Sequence, residues 1–248
     1  MSDRATEQRT SGKASDGDGP WASSRPLVGG LLLLVASIQF IIAMIVEQAL
    51  RPGYSDFGNT ISDLGVNNPA LGWSYDWIFD GSIILLGIMA ILAILILLPC
   101  FPRGILAHLG EIFLIIGSAG AIGVGIFTES YPWHAYGLSA HDYASAVTFL
   151  FANVGMTLFG PTLRRHKVFD RYWGITTFLG VFSTVAVLFY FYFILGPGGF
   201  FGLGEGGLER FVAFPVLIWA IVVGWVTFQR WQALRTSPAP KAPVESPA

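Results

Sequence analysis

Six continuous apolar runs alternate with polar connectors along the chain, at roughly 27–48, 77–99, 105–127, 141–163, 172–195 and 209–230. Within each run the apolar residues follow one another without the every-second-residue alternation of a membrane β-strand. About 20 helical residues cross a bilayer, and every run is long enough. Backbone in lipid must satisfy its own hydrogen bonds, so a continuous run reads as a helix. The pattern therefore predicts an all-α, polytopic membrane protein, a single bundle of six transmembrane helices over residues 27–230. Residues 1–26 are polar and carry no aliphatic run, and are expected to form a disordered tail. Residues 231–248, with Pro238, Pro240, Pro243 and Pro247, are expected to form a second one. The first run, Leu27 to Val46, is too long for a signal-peptide core and precedes no small-residue cleavage site, so it reads as an uncleaved signal anchor.

Composition agrees with this picture. Hydrophobic residues make up 53% and charged residues 12% of the chain, against about 25% charged in soluble domains. A net charge of -2 gives no argument for a nucleic-acid partner. Cys100 is the single cysteine, so no intrachain disulfide can form, and it is expected to be a small buried residue. Charge also orients the bundle. With the N-terminus inside, Arg4, Arg9, Lys13, Arg25, Arg103, Arg164, Arg165, Lys167, Arg171, Arg230, Arg235 and Lys241 fall on the inner side. Only Arg51 and Arg210 fall outside. The positive-inside rule then puts both termini in the cytoplasm and the protein in the plasma membrane. The connector Arg164–Arg165–His166–Lys167 faces anionic lipid heads, so membrane lipids are expected partners. Nothing in the pattern fixes an oligomeric state.

Inside the runs a few residues break the apolar background. Gly117, Ala121 and Gly125 repeat at four-residue spacing, which lets neighbouring helices approach closely. Gln39 and Asn153 lie mid-span and are expected to hydrogen-bond between helices. Glu111 needs a partner, and His108, three residues before it on the same face, or Arg164 would serve.

Chemistry concentrates on the outer connectors. Asn59–Thr60–Ile61–Ser62–Asp63–Leu64–Gly65 is a dense polar stretch between the first two runs. Asp76, Asp80, Glu129, His134, His141, Asp142, Glu205, Glu209 and Arg210 lie on the same side. Ser139 followed by Asp142 reads as a capping box that opens helix four. His141 then falls in the first turn, facing the outer mouth or the lipid, as a neutral imidazole able to accept a proton or a metal. Arg210 and Asp63 are expected to pair and pin the first connector onto the bundle.

Four blocks occur in order: Asn59 to Gly65, Gly120 to Phe127, His141 with Ala144 and Phe149, and Gly207–Leu208–Glu209–Arg210. Together they resemble the bacterial and archaeal membrane family filed as domain of unknown function 998, over about residues 27–230. The resemblance implies a six-helix bundle with polar motifs at the outer helix ends, and no activity. Thr128 stands where the family often has a Pro after the Phe that ends helix three.

Three readings fit these residues. In the first, Asn59, Ser62, Asp63, Glu129, His141, Glu209 and Arg210 form an outward-facing site that binds or moves a lipid, an isoprenoid or a small amphiphile, with helix N-termini suited to anionic groups. In the second, the chain is an enzyme acting on a lipid, with Asp63 and His141 as acid and base, or with Glu129 as metal ligands. No metal-ligand spacing is present, so neither a metal nor a cofactor is expected. In the third, the outer motifs only staple the first connector over the bundle.

Overall fold

The computed structural model describes residues 19–67, 74–196 and 198–236. Six long helices account for most of it: α1 (Arg25–Leu50), α2 (Asp76–Leu97), α3 (Ile105–Ile126), α4 (Ala140–Phe159), α5 (Trp173–Ile194) and α6 (Gly204–Thr236). All six are long and apolar enough to cross a membrane. The only strands among the described residues are β1 (His134–Ala135) and β2 (Leu138–Ser139), an antiparallel pair just before α4. Five of the six helices start within two residues of the expected spans, while α4 ends at Phe159 rather than 163 and α6 runs from Gly204 to Thr236.

The helices form a ring in which each packs on its neighbour in sequence and α6 closes onto α1. Consecutive helices are antiparallel, so the described parts of the connectors that follow α1, α3 and α5 share one end of the ring. That end is the loop face of the ring; Gly19 and Thr236 lie at the other end. Small residues set the helix spacing. A Cβ on Gly30 of α1 would lie 2.8 Å from the carbonyl oxygen of Gly224 on α6. Gly117 of α3 similarly abuts Ala152 of α4, and Gly125 abuts Asp80 and Ile84 of α2. The four-residue repeat thus serves two neighbours. Eight helical residues turn through about 80° beyond two full turns, enough to move from one to the other. Large apolar side chains such as Ile45, Ile112, Phe178 and Leu188 stand exposed on the outside of the ring, where a bilayer would cover them.

One expectation about the termini needs correction. The polar stretch expected to stay unfolded to residue 26 is ordered from Gly19, in a 3-10 turn over Gly19–Ala22. Trp21 is buried there, its ring 5.9 Å from Phe169 and 6.1 Å from His166. A single aromatic anchor in polar surroundings is invisible to a search for apolar runs. Residues 1–18 and 237–248 of the expected tails lie outside the described residues.

Candidate functional site

The first connector folds onto the loop face as a plug. Thr60 and Asp63 cap each other: the Thr60 N–H donates to Asp63 Oδ2 and the Asp63 N–H to Thr60 Oγ1, both at 3.0 Å. This starts the 3-10 turn Ser62–Gly65 in the way a capping box starts a helix. Asn59 Nδ2 donates to the same Asp63 oxygen at 3.0 Å, while Asn59 Oδ1 accepts from the Ser55 N–H. With the polar atoms satisfied locally, Ile61 and Leu64 enter the core beside Phe40, Phe79 and Val124.

The start of α6 holds this plug from two sides. Glu209 is fully buried and accepts from the Ile61 N–H and from Ser62 Oγ. Arg210, one residue and about 100° further round the helix, turns to the plug's carbonyl side. It donates to the oxygens of Asp56 (2.7 Å), Asn59 (3.1 Å) and Gly206 (2.9 Å), to the Tyr54 hydroxyl (2.9 Å) and to Asp56 Oδ1 (2.7 Å). The expected Arg210–Asp63 pair does not form. Local capping occupies Asp63, and the exposed Asp56 takes the guanidinium instead. Two glycines allow the approach. Gly204 has φ +72 and faces the Phe57 carbonyl, and a Cβ on Gly206 would overlap the Asn59 carbonyl.

The connector between α3 and α4 closes the other side. Ser139 and Asp142 form the expected capping box at the N-terminus of α4. His141 is buried rather than turned to the mouth or the lipid, at 4% exposure. Its Nδ1 lies 2.9 Å from the Phe127 carbonyl oxygen, and its Nε2 has no hydrogen-bond partner among the described residues. The connector meets α4 through the Phe127 carbonyl at His141 and through the Ala135 carbonyl, which accepts from the Tyr143 hydroxyl.

Between the plug, α4, α5 and the start of α6 lies a cavity of about 360 Å³. Ser62, Asp63, Glu129, His141 and Glu209 line it, with Asp142, Ser145, Tyr190 and Glu205. Phe149, Phe191, Ile194 and Leu195 give it an apolar wall. Asn59 and Arg210 are not part of the lining; they act on the far side of the plug. The expectation of an anion site at helix N-termini is also corrected. Asp142 and Glu205 occupy the first turns of α4 and α6 and already use those dipoles. Neither Lys nor Arg is among the lining residues. Burial pushes the Glu129 carboxyl up to about 7, helped by the charges of Asp63, Asp142 and Glu205 and opposed by Arg51. Glu129 accepts no hydrogen bond from a described residue. A smaller apolar cavity of about 90 Å³ lies on the axis of the ring and shares Ser62, Ser145, Phe149 and Glu209 with the first.

Several further placements bear on the site. No hydrogen bond joins Asp63 to His141 among the described residues, although both line the cavity. No group of three or more His, Cys, Asp or Glu side chains there is arranged to hold a metal ion. Glu111 is partnered by His108 at 2.9 Å, not by Arg164. Gln39 bridges α1 to the Ser82 carbonyl of α2, and Asn153 bridges α4 to the Val212 carbonyl of α6. Cys100 is buried. Sequence reasoning passed over Tyr190, which donates to Glu205 at 3.4 Å across the cavity; within an apolar run a tyrosine gives no signal. It also passed over Glu47, wholly buried near the loop-face end of α1, where its carboxylate oxygens meet no hydrogen-bond donor within bonding geometry among the described residues. A carboxylate in the last turns of the first apolar run was the available cue.

A family model described as "Protein of unknown function (DUF998)" matches residues 34–226. No curated protein and no solved structure matches the chain.

Proposed function

The chain belongs to the DUF998 family of proteins of unknown function, and we propose that its loop-face cavity binds a lipid or small amphiphile, for retention or transfer. The observation that carries this reading is the mixed lining of the cavity. Carboxylates, His141 and Tyr190 line it together with the apolar Phe149, Phe191, Ile194 and Leu195. Ile194 and Leu195 are themselves exposed, so a tail lying along them reaches lipid. A molecule with a polar head and an apolar tail matches that lining. By the positive-inside rule the cavity faces the exterior of the plasma membrane, with both termini in the cytoplasm.

Native mass spectrometry of the full chain, gently extracted, should show a co-purified amphiphile. Ala146→Trp, which fills the cavity from α4, should abolish it. Equal occupancy in that variant would overturn the reading. Orientation is tested by thiol labelling of Ser130→Cys in a Cys100→Ala background. Labelling of whole cells by a membrane-impermeant reagent is expected, and labelling only after lysis would reverse the topology.

A second reading has its own support at Asn59 and Arg210. Their bonds are spent on the plug and its junction with α6, which makes them staples of the first connector.

A further inference from the structure

We propose that the head group taken by the loop-face cavity is a primary ammonium carried on an apolar tail, an inference that rests on the amphiphile reading above. Carboxylates dominate the polar lining of the cavity, beside the hydroxyls of Thr60, Ser62, Ser145 and Tyr190 and the ring of His141. Asp63, Glu129, Asp142, Glu205 and Glu209 line it, with no Lys or Arg among the lining residues. Four of the five also make local bonds, but a carboxylate has about four lone-pair sites and these bonds leave some of them free.

His141 gives the independent sign of a missing donor. A carbonyl oxygen only accepts, so Nδ1, 2.9 Å from the Phe127 oxygen, carries the ring proton. Nε2 of the neutral ring then presents a lone pair. The side chain is 96% buried, lines the cavity, and finds no donor for Nε2 among the described residues. A polar atom held out of water in that way calls for a partner. An ammonium has three N–H donors and no acceptor, which complements this lining. Phe149, Tyr190 and Phe191 add aromatic rings to the lining, and an aromatic ring attracts a cation. The alternatives fit worse. A phosphate or carboxylate head would meet five carboxyl groups and no Lys or Arg among the lining residues. A quaternary ammonium would bring no N–H to Nε2. A bare metal ion finds no group of three ligands among the described residues.

The test uses the full chain in lipid nanodiscs, titrated by calorimetry with decylammonium, decyltrimethylammonium, decanol, decyl phosphate and methylammonium. Decylammonium should bind about tenfold or more tightly than each of the others, the scale of one charge-assisted hydrogen bond. Glu129→Gln, which breaks no hydrogen bond to a described residue, should cut the decylammonium-to-decanol ratio about tenfold without lowering the melting temperature. His141→Asn, which keeps a donor for the Phe127 carbonyl and removes the Nε2 acceptor, should do the same to that ratio. Decanol or decyl phosphate binding as tightly as decylammonium would overturn the ammonium head and keep the amphiphile. Decyltrimethylammonium binding as tightly would overturn the need for N–H. Methylammonium matching decylammonium would overturn the tail, and the amphiphile reading with it. No binding by any probe would remove both, and a ratio unchanged by Glu129→Gln would remove the acidic wall as its cause.

Discussion

Removing the Arg210 guanidinium should undock the first connector while leaving the six-helix ring folded. The side chain is 12% exposed and makes five hydrogen bonds of 2.7–3.1 Å. Its ion pair with Asp56 contributes little, because the Asp56 side chain is 60% exposed and such pairs are worth about 0–1 kcal/mol. Bonds from the cation to the carbonyls of Asp56 and Asn59 and to Tyr54 matter more. Each charge-assisted bond of this kind contributes about 1.5–3 kcal/mol, and they are not additive. A total of about 3 kcal/mol for docking the plug is therefore expected in Arg210→Ala. At about 1.4 kcal/mol per tenfold, this raises the undocked population roughly a hundredfold. Hydrogen exchange followed by mass spectrometry reads that population directly. Peptides covering residues 54–66 should exchange about a hundredfold faster, while peptides from α3 and α4 should not change. Asp56→Asn should accelerate the same peptides by less than about fivefold. Equal effects of the two substitutions would show that the ion pair does the holding. Unchanged exchange in residues 54–66 would refute the staple altogether.

Two further outcomes follow from the same geometry. Glu129 keeps its proton in the folded chain up to about pH 7, against an ordinary value of 4.5. Between those values the folded state binds more protons than the unfolded state, so stability is greatest below pH 4.5 and falls as pH rises to 7. The loss is at most about 3 kcal/mol, reduced by solvent screening at this partly exposed loop position. Thermal melts from pH 4.5 to 8 should show a flatter slope for Glu129→Gln than for the parent, and identical slopes would place the carboxylate in open water. Asn153→Ala removes the link to the α6 carbonyl of Val212 at 3.3 Å, and should lower stability by about 1 kcal/mol, within the range for interhelical hydrogen bonds in membranes. A neutral result in reversible unfolding would mean that the Phe149 carbonyl alone holds the amide.

By itself the sequence determined the number of helices, their ends to within a few residues in most cases, and the crowding of polar groups at one end. Those properties are local. Run length measures a bilayer, and Ser139 with Asp142 needs only four consecutive residues to cap α4. The glycine spacing on α3 was legible for the same reason, although only the ring showed that it faces both α2 and α4. Choice of partner was decided in three dimensions. Glu209 and Arg210 are adjacent in the chain, yet the turn of the helix sends one to the N–H side of the plug and the other to its carbonyl side. Asp63 met its own neighbours first, because closing a loop of three residues costs less entropy than reaching across about 150. His141 was readable as a first-turn residue, but its burial depended on how residues 127–139 fold over α4, and no single stretch specifies that. The acidic excess of the outer connectors was legible in the sequence, but Arg210, a nearby cation along the chain, lies on the far side of the plug and outside the cavity in the structure.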